Sequence, residues 1–469
     1  MLAEIKGLNE ECGVFGVWNH PEASQITYYG LHSLQHRGQE GTGMVVTDGL
    51  TLKGKKGEGL VTEVFSTDAI NDLKGKAAIG HVRYSTAGGG GYDNVQPLLF
   101  HFQSGSMGLC HNGNLINATG LRHQLEGQGS IFQTSSDTEV LAHLIRRGGF
   151  TELKDRVKYA LSMLKGAYAF LIMTETELMV ALDPNGMRPL SLGKIGDAYV
   201  VASETCAFDI VGATFVRDVQ PGELLIIDDN GVRSELFAHA SNIAMCTMEY
   251  IYFSRPDSNI NGINVHTARK NLGKQLAVEF PVDADVVTGV PDSGISVAIG
   301  YAEATGIPYE MGLIKNRYVG RTFIKPSQSL REQGVKMKLS PVRGVVEGKK
   351  VVMVDDSIVR GTTSKRIVSM LKEAGATEVH VLICSPPIEH PCFYGIDTST
   401  KEELIAANHS VEEIREMIGA DTLSFLSVEG MVKAIGRKGD SCGQCLACFT
   451  GKYPTEIYPL QTEHSPVTV

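Results

Sequence analysis

Residues 351–364 read VVMVDDSIVRGTTS. An apolar run ends in two adjacent acids, Asp355 and Asp356. Ser357 follows, and Arg360–Gly361–Thr362–Thr363 then opens the segment TSKRIVSMLKEAG (363–375). In that segment Ile367, Met370, Leu371 and Ala374 share one helical face, and Gly375 is a good helix stop. The pattern predicts a buried strand, a polar loop and a helix whose first turn aims backbone N–H groups and hydroxyls at the loop. That geometry suits a monophosphate. Two acids at the end of the strand suit ribose hydroxyls and an Mg²⁺ that shares pyrophosphate oxygens. The same letters also describe an acidic loop before a capped helix.

Strand and helix alternate on both sides of this stretch. DVVTGV (285–290) reads as a buried strand, Pro291–Asp292–Ser293–Gly294 as a turn and ISVAIGYAEATG (295–306) as a helix. KKVVMV (349–354) and EVHVLIC (378–384) are further strands, so a parallel sheet covered by helices is expected. The last fifty residues begin with a helix over SFLSVEGMVKAIG (424–436) and end in a polar tail. Residues from 12 to about 240 read differently. Short strands such as CGVFGVW, KAAIGHVRYS, GAYAFLIM and GELLIIDDNG are separated by turn pairs, Asn185–Gly186 and Asn230–Gly231 among them, as in antiparallel hairpins. A helix is expected over 137–147, and sheet plus helices gives an α+β layered domain. The expected organisation is a leader over 1–11, a first domain over 12–240, a second over 241–420 and a C-terminal segment over 421–469.

The chain has 469 residues, 42% hydrophobic and 20% charged, with a net charge of −10 and no long basic run. This balance disfavours non-specific binding to nucleic acid or membrane surfaces. The longest clean apolar stretch, AYAFLIM (167–173), is far shorter than the roughly 20 residues that span a bilayer. Glu4 and Lys6 interrupt the leader, which is no secretion signal, and a cytosolic location is expected. Nine cysteines in a reducing compartment read as thiols, metal ligands or nucleophiles rather than a disulfide frame.

Cys12 stands at the head of the first strand, behind the polar leader MLAEIKGLNEE. Cleavage between Glu11 and Cys12 would free the α-amine of Cys12, which titrates near about 8 in an unperturbed chain. That amine can act as general base for its own thiol, as an amide nitrogen cannot. A frayed terminus before a first strand is the plainer alternative. Four polar clusters accompany Cys12: HRGQEGTG (36–43), GHVRYSTAGGGGYDNVQP (80–97), CHNGNLIN (110–117) and SSDTE (135–139).

With CGVFG they resemble, in order over about 130 residues, the glutaminase domain of N-terminal-nucleophile amidotransferases. The resemblance implies the αββα Ntn-hydrolase fold, Cys12 as nucleophile, and Asn112 and Gly113 as the oxyanion hole. It implies glutamine held by Arg83 at its α-carboxylate and Asp137 at its α-amine, with Arg37 ordering the loop at the nucleophile. Taken alone, Asn112–Gly113 would be a type I′ turn. GGGG at 88–91 reads as a mobile loop.

The stretch 351–364 resembles the 5-phosphoribosyl 1-pyrophosphate (PRPP) signature of type I phosphoribosyltransferases. That likeness implies an α/β domain in which Asp355, Asp356, Ser357, Arg360, Gly361, Thr362 and Thr363 bind PRPP. Val290–Gly294 resembles the pyrophosphate loop of that family, with Ser293 joining Asp355 and Asp356 around Mg²⁺. KNRYVGRTFIKPSQSLRE (315–332) resembles its catalytic loop, where Lys315 and Arg317, with Arg321 and Lys325, close over pyrophosphate. Alone, this run is a solvated basic loop.

Both modules in one chain resemble the propeptide-bearing, iron–sulfur class of PRPP amidotransferases. The implied reaction makes 5-phosphoribosylamine, pyrophosphate and glutamate from PRPP, glutamine and water, at the entry to purine biosynthesis. Purine nucleotides are the implied feedback inhibitors and a homotetramer the implied assembly. The class implies one Mg²⁺ and one [4Fe–4S] cluster per subunit, the latter on Cys246, Cys392, Cys445 and Cys448. Spacing within CGQCLAC leaves Cys442 as a spare ligand, and a Cys₄ set also suits zinc. Cys110, Cys206 and Cys384 sit in apolar segments and are expected as buried thiols. Two other readings stay open: a PRPP or nucleotide-binding regulatory protein with decayed sites, and an iron–sulfur redox protein.

Overall fold

The computed structural model describes residues 12–84, 91–103, 105–239, 242–316, 339–396, 398, 400–436 and 443–457. The leader, Arg317, Arg321, Lys325 and Cys442 lie outside the described residues, as does most of the glycine run.

Strand Gly13–Trp18 is the middle member of a seven-stranded sheet, between Ala77–Arg83 and Ala198–Ala202. Its side chains alternate between two apolar layers, as the period-2 geometry of a strand requires. Phe15 and Val17 meet Leu31, Leu34 and Phe208 under the helices Ala23–Ser33 and Cys206–Val211. Val14 and Trp18 meet Leu171, Leu178 and Val180 of a second, six-stranded sheet. Strand Gly166–Met173 divides in the same way. Ala169, Leu171 and Met173 face the first sheet, whereas Tyr168, Phe170 and Ile172 face helices Thr138–Arg147 and Leu153–Met163. Burial on both faces explains why these strands are apolar throughout, and each buried large aliphatic contributes roughly 1.5–3 kcal/mol. The result is four layers, helix–sheet–sheet–helix. All recorded strand pairs in these two sheets are antiparallel.

Asn230–Gly231 closes a hairpin, with Asp228 opposite Gly231. Asn185–Gly186 does not. The strand before it, Leu178–Leu182, belongs to the six-stranded sheet and the strand after it, Ser191–Ile195, to the seven-stranded one. This turn is built around Asp183, whose buried carboxylate accepts the Asn185 N–H at 2.9 Å and the Tyr168 N–H at 3.2 Å. Burial raises that carboxyl to about 6 despite those bonds. Asn112–Gly113 is no turn either, because both residues lie inside the continuous strand Gly105–Leu115.

The second half holds a four-stranded parallel sheet in the order Val286–Gly289, Lys350–Asp355, Glu378–Ile383, Thr422–Phe425. Val352 and Val354 pack under helices Val265–Glu279 and Ile295–Thr305, while Val351 and Met353 pack under helix Thr362–Glu373. The fourth strand runs past the boundary expected at 420. It also takes the start of the segment expected as one helix over 424–436, where the helix proper is Val428–Ile435, N-capped by Ser427. Finally, Met245–Cys246 pairs in parallel with Gln444–Cys445, tying the entry of the second half to the C-terminal segment.

Candidate active site

Cys12 immediately precedes the central strand of the first sheet. It is buried, and its thiol donates to the Tyr84 carbonyl at 3.5 Å. Gly13 pairs with Val82 and Gly41 with Arg83, which brings the buried Arg83 to the same end of the sheet. A bond between the two sheets joins His81 Nε2 to the His111 carbonyl at 2.9 Å. Asn112 is the next residue along that strand. Its side chain is fully buried, and among the described residues neither its amide nitrogen nor its amide oxygen has a partner. An unmet buried amide costs roughly 1–3 kcal/mol, which marks this side chain as a donor poised for a ligand or a water. Gly113 has φ 135°, and a Cβ there would lie 2.1 Å from the Ala167 carbonyl oxygen, so only glycine fits.

Asp137 occupies the N-cap position of helix Thr138–Arg147, but its side chain does not cap. Its Oδ2 instead accepts the Leu115 N–H at 2.8 Å, and Oδ1 lies 3.7 Å from His111 Nδ1. Burial pushes its pKa up, yet His111 and the Leu115 and Thr138 N–H groups outweigh burial and hold it below the ordinary value. Arg37 is fully buried, with Nε donating to the Cys12 carbonyl at 3.0 Å. Its Nη1 donates to Glu204 and Glu249 and its Nη2 to Glu249, so this side chain ties the main chain of Cys12 to both acids.

In the second half a cleft of about 530 Å³ opens at the C-terminal ends of the parallel strands. Asp355 and Asp356 are buried in it. Burial, then the charge of Asp356, pushes the Asp355 carboxyl well up. Burial also raises Asp356, opposed by hydrogen bonds from the Ser293 and Ser357 hydroxyls and by the charge of Arg269. The Ser357 hydroxyl donates to Asp356 at 2.6 Å. Two buried acids flanked by hydroxyls are an oxygen-only donor set, which fits Mg²⁺ sharing substrate oxygens. Gly361 takes φ 75° to turn the chain into helix Thr362–Glu373, whose first residues line the cleft. Lys315 stands at the rim in an exposed pair with Asp292 at 3.0 Å, and Arg360 pairs with Glu403 at 2.6 Å. His36 and Gln39, from the first half, line the same cleft.

Four cysteines, Cys246, Cys392, Cys445 and Cys448, lie where the second half meets strand Gly105–Leu115. Cys246 and Cys445 are register partners. The thiol of Cys448 is pushed well up by burial, then by the neighbouring Cys445 and Cys392. The Tyr394 N–H reaches Cys392 Sγ at 3.4 Å, and the N–H groups of Glu389 and His390 both donate to the Cys448 carbonyl at 3.0 Å. All four are half-buried. Among the described residues, no three His, Cys, Asp or Glu side chains are arranged to hold a metal ion. Four thiols with no oxygen donor among them are the donor chemistry that an iron–sulfur cluster or zinc takes. Cys110, Cys206 and Cys384 are buried thiols, as expected.

The sequence patterns did not single out Glu204, Glu249, His36 or Arg188. The signal for three of them was there: Glu204, Glu249 and Arg188 are single charges in largely apolar surroundings (VVASETCAF, AMCTMEYIYF, NGMRPLSL), which requires a buried partner.

A glutamine amidotransferase domain model matches residues 81–209, and a phosphoribosyl transferase domain model matches 265–387. The chain is 77% identical over 461 residues to an amidophosphoribosyltransferase of Bacillus subtilis, covering 98% of this chain and 97% of that one. It is 56% identical over 467 residues to one of Staphylococcus aureus, covering 99% and 94%. A solved glutamine PRPP amidotransferase from B. subtilis, complexed with ADP and GMP, superposes with a TM-score of 0.91 at 75% identity, covering 96% and 98%. A solved allosteric regulatory enzyme of purine biosynthesis superposes with a TM-score of 0.92 at 76% identity, covering 96% and 97%. The paired domains, the matching fold and the identity along nearly the whole length lead to one conclusion: the chain belongs to the amidophosphoribosyltransferase family.

Proposed function

We propose that the chain is a two-site enzyme that makes 5-phosphoribosylamine from glutamine and PRPP, the first step of purine biosynthesis. One observation carries the coupling of the sites: the cleft that holds Asp355 and Asp356 is walled in part by His36 and Gln39, from the half that holds Cys12. The half that releases ammonia thus forms part of the wall of the acceptor's cleft.

At the first site Arg83 and Asp137 hold the ends of glutamine. The Cys12 sulfur attacks the side-chain carbonyl. Asn112 Nδ2 and the Gly113 N–H stabilise the oxyanion, a contribution of about 2.7–4 kcal/mol per donor. The C–N bond breaks, ammonia leaves with a proton from the Cys12 α-amine, and water hydrolyses the γ-glutamyl thioester to glutamate. Removal of residues 1–11 supplies that amine. At the second site ammonia attacks C1 of PRPP and the C1–O bond to pyrophosphate breaks. Thr362 and Thr363, with Gly361 and Arg360, hold the 5-phosphate; Asp355 and Asp356 orient the ribose; Lys315, at the rim of the cleft, meets the departing pyrophosphate. Mg²⁺, held by Asp355, Asp356 and Ser293, supplies charge neutralisation of the pyrophosphate when bound. Cys246, Cys392, Cys445 and Cys448 hold a structural [4Fe–4S] cluster.

Support for purine nucleotides as feedback ligands comes from the relative solved with ADP and GMP. A cytoplasmic homotetramer completes the reading, and among the described residues no helix is long and apolar enough to cross a membrane. The test is an anaerobic assay with glutamine, PRPP and Mg²⁺ that counts glutamate and pyrophosphate together. Equal amounts are expected, with no pyrophosphate when glutamine and ammonia are both omitted. Glutamate without pyrophosphate would overturn the acceptor assignment.

A further inference from the structure

A buried group of charges bridges the two halves. Arg37 Nη1 donates to Glu204 Oε1 at 2.7 Å and to Glu249 Oε2 at 2.9 Å, and Nη2 donates to Glu249 Oε1 at 2.7 Å. The side chains of all three are fully buried. Glu204 belongs to the first half. Glu249 opens the turn Glu249–Phe253, which leads into the second. The bidentate fork between Arg37 and Glu249 is the stiffest form an ion pair takes. Glu249 also accepts from the Ser254 hydroxyl at 2.6 Å and lies 3.8 Å from Arg188.

The turn itself is held from the other side by Arg269. Its Nε donates to the Tyr250 carbonyl at 2.8 Å, and its Nη2 donates to Tyr252 at 3.0 Å and Ser254 at 2.8 Å. Arg269, Tyr252 and Ser254 line the phosphate cleft, and the charge of Arg269 acts on Asp356. An unbroken chain of contacts therefore runs from the cleft to the main chain of Cys12. It passes through Arg269, the carbonyls of Tyr250, Tyr252 and Ser254, Glu249 and Arg37.

We propose that Glu249 is a cross-domain positioning residue for the glutaminase nucleophile. The Glu249–Arg37 fork fixes the main chain of Cys12, and Arg269 makes the setting of that fork depend on the contents of the phosphate cleft. This rests on the two-site reading above, in which the amine and thiol of Cys12 are base and nucleophile of one residue. Both then ride on the main-chain angles of Cys12, and Arg37 holds the carbonyl that sets them. A small rotation misaligns both against a glutamine held by Arg83 and Asp137. Misplacements of about 1 Å cost up to roughly 10²-fold in rate.

The test compares wild type with Glu249→Gln, Glu249→Asp and Ser254→Ala, each as full-length, processed enzyme. Three rates are measured: pyrophosphate from glutamine, pyrophosphate from ammonia, and alkylation of Cys12 by a diazo-ketone analogue of glutamine with and without PRPP. In Glu249→Gln the ratio of glutamine- to ammonia-dependent turnover is expected to fall by about 10–100-fold. The fall should lie in kcat, and PRPP should no longer accelerate alkylation. Glu249→Asp should recover part of both effects. The proposal is overturned if Glu249→Gln keeps the PRPP acceleration, if wild type shows none, or if both turnovers fall in equal proportion, as general damage would cause. Should Glu249→Gln not fold, Ser254→Ala decides, since it loosens the fork without removing a charge: an unchanged turnover ratio and an unchanged PRPP effect would sink the idea. Wild type that forms no pyrophosphate from ammonia and PRPP would instead sink the two-site reading.

Discussion

Asn112 states the chemistry of the first site through what its side chain lacks. Among the described residues this fully buried amide has no partner, which is the state expected of a donor that meets a substrate. Asn112→Ala is expected to lower glutaminase kcat by about 10²–10³-fold, with a smaller change in KM for glutamine and no loss of ammonia-dependent turnover. Steady-state assays with each nitrogen source check this. His81, which ties the two sheets together, carries a pH dependence. Burial, first among the causes, pushes its pKa from 6.5 down to about 3. Between those values the unfolded chain takes up a proton that the folded chain refuses. Stability therefore falls as pH falls through that window, by up to about 1.4 kcal/mol per pH unit. His81→Gln, which keeps a donor for the His111 carbonyl, is expected to flatten this part of a Tm–pH curve. An unchanged slope would count against it.

At the scale of elements, Gly361 joins the acid-tipped strand to the phosphate-facing helix. Its φ is 75°, a left-handed conformation that favours glycine, and a Cβ at this position would push the end of the Ile405 side chain aside from 2.8 Å. Gly361→Ala should cost about 1–2 kcal/mol for the left-handed conformation alone. It should raise KM for PRPP while sparing the hydrolysis of glutamine, a split that initial-rate measurements resolve. The strand–loop–helix order here was legible because the letters serve one local purpose: apolar residues for a strand buried on both faces, then acids, then a glycine and hydroxyls. Helix Thr138–Arg147 was legible for the same reason. Asn185–Gly186 misled because a turn pair shows that the chain reverses but not which sheet it enters. The helix expected over 424–436 misled because Phe425 and Leu426 are as apolar as a helix stripe requires, and the neighbouring strand Glu378–Ile383 claimed Thr422–Phe425 instead.

Across the whole molecule, what the sequence could not display is the meeting of its halves. Cys392 lies next to Phe393, whose carbonyl accepts from Asn114 Nδ2 at 2.8 Å, while Arg188 donates to the Tyr394 carbonyl. These partners are separated by 279 and 206 residues, and no local pattern announces such pairs. The four cysteines sit at this junction and at the parallel pairing of Met245–Cys246 with Gln444–Cys445. Cys445→Ser is therefore expected to lower both iron content and Tm of anaerobically purified enzyme. Full iron with an unchanged Tm would contradict the structural role.

The Arg37–Glu204–Glu249 group also bears on how such a protein can be recombined. A glutaminase half grafted onto a foreign partner with a neutral residue in the place of Glu249 would keep the Arg37–Glu204 pair but lose the two Glu249 oxygens that Arg37 donates to in a dry seam. Leaving a buried donor unmet costs about 1–3 kcal/mol, a sizeable part of the stability of an ordinary domain. The halves look like interchangeable parts along the chain, yet the seam acts as a compatibility check, so they have to be inherited or engineered as a matched pair.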